Sequence, residues 1–144
     1  MLIKTRDFGE IDISENVIIN FPNGIYAFEE DHRFVLLSPC GENKYPMWLQ
    51  SLDNENLCFI VFDPREFVAD YAVTIDEETK AALDIKEDSV IDYLSMAVIP
   101  DDYLKTTVNL KSPLVVNSDN NKAAQVIAQE NYPIKFPALK KEEA

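Results

Sequence analysis

The sequence has few of the residues on which enzymes and metal centres depend. It contains one histidine, two cysteines and three glycines among 144 residues. His32 lies in a polar stretch before a predicted strand, where we expect a surface residue and not a catalytic base. One histidine and two scattered cysteines cannot supply a tetrahedral zinc site, and no glycine lies in a phosphate-binding loop. We therefore predict no enzyme activity, no catalytic residues, no metal and no cofactor.

Long apolar runs are also missing. No stretch of 18 apolar residues is present, so no membrane-spanning helix is expected. The first residues enter alternating sequence directly, without the apolar segment of a signal peptide. Cys40 and Cys58 do not form a C-x-x-C pair, which indicates two reduced thiols. These features predict a cytoplasmic protein.

Positive charge is scarce. The chain has 13 Lys and Arg against 26 Asp and Glu, which gives a formal net charge of −13. Such a surface repels phosphate backbones, so direct binding of RNA or DNA is not expected. A basic protein partner would be attracted, although acidity also serves solubility alone.

Apolar and polar residues alternate with a period of two along most of the sequence, and turn residues recur about every 8–12 positions. Asp76 caps one short helix that begins at Glu77. Residues 122–129 fit either a strand or a second helix. The predicted strands lie in residues 1–20 as a hairpin, and in 33–38, 47–52, 57–62, 70–75, 88–100 and 106–117.

This pattern predicts a mainly β fold, a compact antiparallel barrel-like domain of about nine or ten short strands with one or two short helices. We assign residues 1–137 to this single domain. Residues 138–144 are predicted to be a charged, flexible tail. No βαβ rhythm is present, which argues against a doubly wound nucleotide-binding sheet.

The hairpin of residues 47–62 is expected to supply the centre of the core. It holds Trp48, the only tryptophan, and contributes Leu49, Leu52, Leu57, Phe59 and Val61. The strongest predicted core residues are Phe21, Phe34, Trp48, Phe59 and Val115.

Carboxylates flank the same hairpin. Asp53, Glu55 and Asp63 could include a pair that hydrolyses a glycoside. However, Asp53 and Glu55 lie in a loop, and Asp63 precedes Pro64 as in a turn. A structural role is therefore favoured.

One acidic segment has the composition of a binding surface. Between Glu66 and Asp102 eleven acids are opposed only by Lys80 and Lys86, and aromatic residues are interspersed. Aromatic side chains can anchor a partner while the acids attract a basic one. The alternative is a solvated segment whose aromatic residues face the interior.

Several stretches, taken in order, resemble the FliW family of bacterial flagellar assembly factors. They are "FGEIDI" (8–13), "FPNGIYAFE" (21–29), "FVLL" (34–37), "WLQSLDNENLCFIVFDP" (48–64), "DY" (70–71), "TVNLKSPLVVN" (107–117) and "AQVIAQENYPI" (124–134). The resemblance implies a small, cytoplasmic, non-enzymatic β-barrel. It also implies that residues 122–129 form a strand.

The same resemblance implies two partners. One is the RNA-binding translational regulator CsrA, whose repression of flagellin translation the protein would relieve, and the other is flagellin, which would compete. Because flagellin termini are amphipathic helices, the expected site is an apolar groove with a polar rim. The candidate partner-binding residues are Glu66, Phe67, Asp70, Tyr71, Asp101, Asp102, Tyr103 and Asn109.

The sequence also allows other functions. A dedicated flagellin export chaperone would bind flagellin without any regulator, and a carboxylate-dependent hydrolase would need facing acids in a pocket. Asn109, a polar residue within a predicted strand, could serve a backbone hydrogen bond instead of a partner. No coiled-coil pattern is present, so a monomer is expected.

Overall fold

The structure is a computed structural model that describes residues 1–42 and 44–139. These residues form eleven strands, one α-helix and three 3₁₀ turns. The strands are β1 (Leu2–Thr5), β2 (Gly9–Asp12), β3 (Ile19–Asn20), β4 (Arg33–Leu37), β5 (Met47–Ser51), β6 (Cys58–Phe62), β7 (Ile91–Val98), β8 (Thr107–Val108), β9 (Leu114–Asn117), β10 (Lys122–Gln125) and β11 (Phe136–Pro137). Helix α1 spans Glu77–Ala82, and the 3₁₀ turns are Glu15–Val17, Pro64–Glu66 and Tyr103–Lys105. The predicted mainly β fold is confirmed.

Seven of the strands close into a barrel. They are hydrogen-bonded in the order β7, β6, β5, β4, β3, β10, β9, and β9 returns to pair with β7. Every pair is antiparallel except β3 with β10, where Lys122 lies opposite Asn20 in a parallel register. Strands β8 and β11 extend the sheet beyond β7, and β1 with β2 forms a separate hairpin.

Two apolar clusters lie on opposite faces of the same strands. In β9, Leu114 and Val116 belong to the cluster inside the barrel, whereas Val115 belongs to a second cluster that also contains Leu83 next to α1. Alternate side chains of a strand point to opposite faces, so this part of the sheet is buried on both sides. That explains why β9 reads as a continuous apolar run.

The predicted core is partly correct. Phe21, Phe34 and Val115 are fully buried, whereas Trp48 and Phe59 are only partly buried. Phe59 packs against Phe34 near the edge of the interior cluster. Prediction of Trp48 as a centre of that cluster is wrong.

Strand parity explains the position of Trp48. Its neighbours Met47 and Leu49 both point into the barrel, so Trp48 points out. There it packs edge-to-face against Phe8 of the β1–β2 turn, with ring centroids 5.9 Å apart. Its indole N–H donates to Asp7 Oδ2 at 3.0 Å.

Residues 70–75 were predicted to form a strand, and the structure shows none there. Buried and exposed residues do alternate in this segment, but its backbone N–H groups donate to side chains and not to a partner strand. The backbone N–H of Ala72 donates to the Tyr132 hydroxyl (3.4 Å), and that of Thr74 donates to the Glu130 carboxylate (3.1 Å). The segment is therefore extended without belonging to a sheet.

The predicted strand 106–117 is divided into β8 and β9. Between them, Asn109 Oδ1 accepts hydrogen bonds from the backbone N–H groups of Lys111 and Ser112, both at 3.0 Å. Such local bonds replace ladder pairing, and Pro113 then has no N–H to donate.

Residues 122–129 form a strand over Lys122–Gln125, so the helical alternative is wrong. Beyond β10, the backbone N–H of Ala128 donates to the Lys111 carbonyl at 2.7 Å. The predicted helix at Asp76 is confirmed as α1, with Asp76 accepting from Thr79 N–H at 2.7 Å.

At the C-terminus, the Ala138 N–H donates to the Thr106 carbonyl at 2.9 Å, and Leu139 is partly buried. The rest of the predicted tail, residues 140–144, lies outside the described residues. In the described part of the chain, no helix has the length and apolarity needed to cross a membrane.

Candidate partner-binding site

An apolar groove of about 870 Å³ lies where β8 and β11 extend the sheet beyond the barrel. We call it the β8–β11 groove. Its main lining residues are Glu66, Phe67, Leu104, Lys105, Phe136 and Leu139. Its size is within the range of roughly 300–1,000 Å³ that is usual for ligand clefts.

Aromatic rings in edge-to-face and tilted contact support one side of the groove. Phe67 lies between Phe62 and Phe136, with centroid distances of 5.6 Å and 5.7 Å. The 3₁₀ turn Pro64–Glu66 sets this position, because Asp63 caps the turn by accepting from Arg65 N–H at 2.9 Å. A short capped turn at the end of β6 thus directs one aromatic ring inward and leaves Glu66 at the rim.

A second capped turn forms another part of the wall. Asp102 Oδ1 accepts from Leu104 N–H at 3.2 Å, and the Thr106 hydroxyl donates to the Tyr103 carbonyl at 2.6 Å. This 3₁₀ turn leaves Tyr103 63% and Leu104 53% exposed. Two large apolar side chains held outward by local hydrogen bonds are candidates for anchoring a partner.

Acidic groups surround the apolar surface. Burial, followed by the charge of Asp63, raises the pKa of Glu66 above its ordinary value. Asp101 and Asp102 are exposed and directly precede the 3₁₀ turn that holds Leu104. Among the described lining residues, Lys105 is the only one with a positive charge. The rim therefore favours a partner with basic groups beside its apolar ones.

The structure brings together most of the predicted site residues. Glu66 and Phe67 line the groove, and Asp101, Asp102 and Tyr103 lie in the segment that leads to its wall. Asp70 is exposed in the loop after Phe67.

Two predicted site residues belong to the scaffold instead. Tyr71 is 1% exposed, and its hydroxyl donates to the Leu110 carbonyl at 2.6 Å. Its ring packs against Tyr93 and Tyr132, and burial raises its pKa above the ordinary tyrosine value. Asn109 holds the turn between β8 and β9, as described above. The side chains of Tyr71 and Asn109 therefore have structural roles in this conformation.

Sequence reasoning missed Leu104, Phe136 and Leu139. Leu104 adjoins the predicted Tyr103 and could have been found as the second apolar residue in "DDYLK". Phe136 and Leu139 lie in a proline-rich stretch without alternation, which gave no signal that a short strand returns to the sheet there.

Two of the three carboxylates suggested for hydrolysis, Asp53 and Asp63, are separated and have structural partners, and the third, Glu55, is exposed in the loop between β5 and β6. Asp53 accepts hydrogen bonds from the backbone N–H groups of His32 and Arg33. It also forms an ion pair with the Arg33 guanidinium at 2.9 Å. Asp63, at the other end of β6, caps the turn at Pro64. Neither faces the other across a pocket, and both have structural partners.

The sequence profile of the family described as FliW protein matches residues 2–139. The chain belongs to the FliW family. The flagellar assembly factor FliW of Ruminiclostridium cellulolyticum is 42% identical over 127 residues, which cover 88% of this chain and 86% of that protein. That of Thermoanaerobacter pseudethanolicus is 39% identical over 140 residues, 96% of this chain and 93% of that protein.

A solved structure agrees with the FliW assignment. The crystal structure of a flagellar assembly factor FliW superposes with a TM-score of 0.86 at 28% identity, covering 99% of this chain and all of that one. This FliW-family chain therefore shares its whole fold with a protein described as a flagellar assembly factor.

Proposed function

We propose that this FliW-family protein is a cytoplasmic, non-enzymatic factor that binds a CsrA-type translational regulator and flagellin in competition. Binding to CsrA would antagonise it and so allow flagellin translation. Flagellin binding would withdraw the protein from CsrA until flagellin is secreted. Family membership supports flagellar assembly as the process, and the two partners are part of the proposal.

The β8–β11 groove is the observation on which the proposal of a binding role rests. Leu104 and Tyr103 present apolar surface beside the acids Glu66, Asp101 and Asp102. An amphipathic helix with basic flanks could place its apolar face there. An RNA-binding regulator must carry basic groups for its RNA, which complements the net charge of −13.

The charge also suggests how antagonism would work. An acidic protein bound beside an RNA site repels RNA phosphates even when it does not cover the site. At physiological ionic strength this repulsion extends about 8 Å. We therefore expect that raising the salt weakens antagonism more than it weakens binding to CsrA. Antagonism that stays unchanged in high salt while binding persists would contradict the repulsion mechanism.

Calorimetric titration against CsrA from the same organism, without and with flagellin already bound, tests the proposal. We expect submicromolar binding that preloaded flagellin abolishes. Leu104→Asp should weaken both interactions, whereas Ile127→Asp, at a residue of similar exposure outside the groove, should leave both intact. Flagellin binding without CsrA binding would identify an export chaperone instead.

A further inference from the structure

The turn between β3 and β4 contains a dipeptide with covalent reactivity of its own. Asn23 is followed by Gly24, and this is the one Asn-Gly pair in the sequence. The side-chain amide of an asparagine can be attacked by the backbone nitrogen of the next residue. A glycine at that position leaves the nitrogen unhindered, because it has no Cβ. Asn23 is exposed, so water reaches its side chain.

The folded turn restrains the nitrogen that would attack. Pro22 and Asn23 are the corners of a β-turn, and the Gly24 N–H donates to the Phe21 carbonyl at 3.0 Å. Attack requires the peptide between Asn23 and Gly24 to rotate and its nitrogen to lose a proton. Both changes break the hydrogen bond to Phe21, so the turn opposes the reaction.

Packing holds the same peptide from its other end. Gly24 is buried, and a Cβ on it would lie 2.5 Å from the Glu29 Cα and 2.6 Å from the Glu29 carbonyl oxygen. The next residue, Ile25, is 1% exposed and belongs to the apolar cluster inside the barrel. The peptide therefore cannot rotate unless residues 21–29 separate from one another and from the core.

We propose that Asn23 is a site of spontaneous covalent modification, deamidation through a succinimide, which the fold suppresses and which opening of residues 21–29 allows. The Gly24 nitrogen loses its proton and bonds to the Asn23 Cγ, and the side-chain amide leaves as ammonia. Water then opens the five-membered ring at one of its two carbonyl carbons. The products are aspartate and isoaspartate, and neither step needs an enzyme, an oxidant or a cofactor. The site lies apart from the β8–β11 groove, and the reaction is independent of the proposed partner switch.

The two products differ in whether the turn can form again. Aspartate leaves the backbone unchanged and adds one negative charge to a loop that already contains Glu29, Glu30 and Asp31. Isoaspartate carries the main chain through its side chain, which adds one methylene before Gly24. Because Gly24 lies too close to the Glu29 backbone to accept even a Cβ, the longer chain does not fit the native turn. Isoaspartate at position 23 is thus a permanent mark of a chain whose 21–29 segment has been open.

The rate of deamidation in the native protein, compared with that in urea at the same pH and temperature, tests the proposal. Proteolysis followed by mass spectrometry measures the modified fraction of the peptide that contains Asn23, and fragmentation distinguishes isoaspartate from aspartate. We expect the native protein to react about tenfold or more slowly than the unfolded chain, which corresponds to about 1.4 kcal/mol or more for opening. Equal rates in the two states would overturn the proposal.

Two variants test the role of the turn and of the side chain. Pro22→Ala removes the ring that fixes the first corner and should raise the native rate while leaving the rate in urea nearly unchanged. Asn23→Gln should leave the peptide unmodified in both states, because its side chain would have to close a larger ring. A native rate that Pro22→Ala does not change would contradict the turn as the restraint.

The products provide a further check. After urea is removed, chains with isoaspartate at position 23 should be absent from the fraction that regains the native urea midpoint, whereas chains with aspartate should be present in it. Isoaspartate chains that regain native stability would show that the close packing of Gly24 is not the barrier. Aspartate as the only product would exclude the succinimide.

Discussion

Two glycines with similar positive φ angles allow the cost of close packing to be measured apart from backbone strain. Gly9 has φ +66° and Gly24 has φ +70°, both in the left-handed region. A Cβ at Gly9 would meet nothing within 4 Å, whereas a Cβ at Gly24 would lie 2.5 Å from the Glu29 Cα. The close neighbours of Gly24 are backbone atoms, which cannot rotate away.

The expected magnitudes follow from these contacts. Gly9→Ala should cost about 0.5–1.5 kcal/mol, the left-handed penalty less the entropy that alanine removes from the unfolded chain. Gly24→Ala should cost about 2–4 kcal/mol, because overpacking adds to the same penalty. With a urea m-value of about 2 kcal/mol/M, the midpoints should fall by roughly 0.5 M and 1.5 M. Urea unfolding followed by far-ultraviolet circular dichroism measures both, and a loss in Gly24→Ala no larger than that in Gly9→Ala would refute the argument.

Two other predictions concern single polar groups. Tyr71→Phe removes a buried hydrogen bond of 2.6 Å to a backbone carbonyl and should lower the free energy of unfolding by about 1–3 kcal/mol, whereas the exposed Tyr26→Phe should change it little in the same urea experiment. The neighbouring guanidinium holds the pKa of Asp7 in the folded state below its unfolded value of about 3.9. Its stabilisation is therefore complete above that pH and is lost as the pH falls through the folded pKa. Trp48 emission should titrate with a midpoint below about 3.9 in the wild type and not in Asp7→Asn; a midpoint above 3.9 would contradict the assignment.

Period and turn residues were sufficient to predict β4, β5, β6 and β7, which all fall within predicted segments, but they left residues 122–129, which contain β10, open between a strand and a helix. They were insufficient wherever the partner of a segment mattered. Residues 70–75 alternate as a strand does, but their backbone donors go to side chains such as Tyr132 and Glu130, and nothing local to the segment indicates this.

The same limit explains the misplaced tryptophan. In β5 the consecutive residues Met47, Trp48 and Leu49 are all apolar, so alternation could not show that Leu49 points into the barrel and Trp48 out of it. The outer face of β5, which also carries Gln50, is covered by the β1–β2 hairpin, with Phe8 against the indole. That contact joins segments far apart in the chain, so a local sequence pattern does not predict it.

The candidate site was predictable in its acidic rim and less so in its apolar surface. The acids at 66, 101 and 102 stand out from composition. Whether an aromatic residue is exposed depends on its local hydrogen bonds. A capped 3₁₀ turn leaves Tyr103 in solvent, whereas the Tyr71 hydroxyl donates to a backbone carbonyl in the interior. The difference arises from a hydrogen bond to Leu110, a residue whose own position is fixed only by the complete fold.

The parallel pair of β3 and β10 has a consequence for how the chain is made. Strand β3 (Ile19–Asn20) is synthesised well before β10 (Lys122–Gln125), the strand that covers its open side. Until then, the nascent chain is an open sheet with an exposed edge, which is a template for pairing with other chains. A product terminated before Lys122 would leave β3 and β9 without β10, and we expect it to aggregate. Synthesis must therefore continue through Gln125 before the barrel can close.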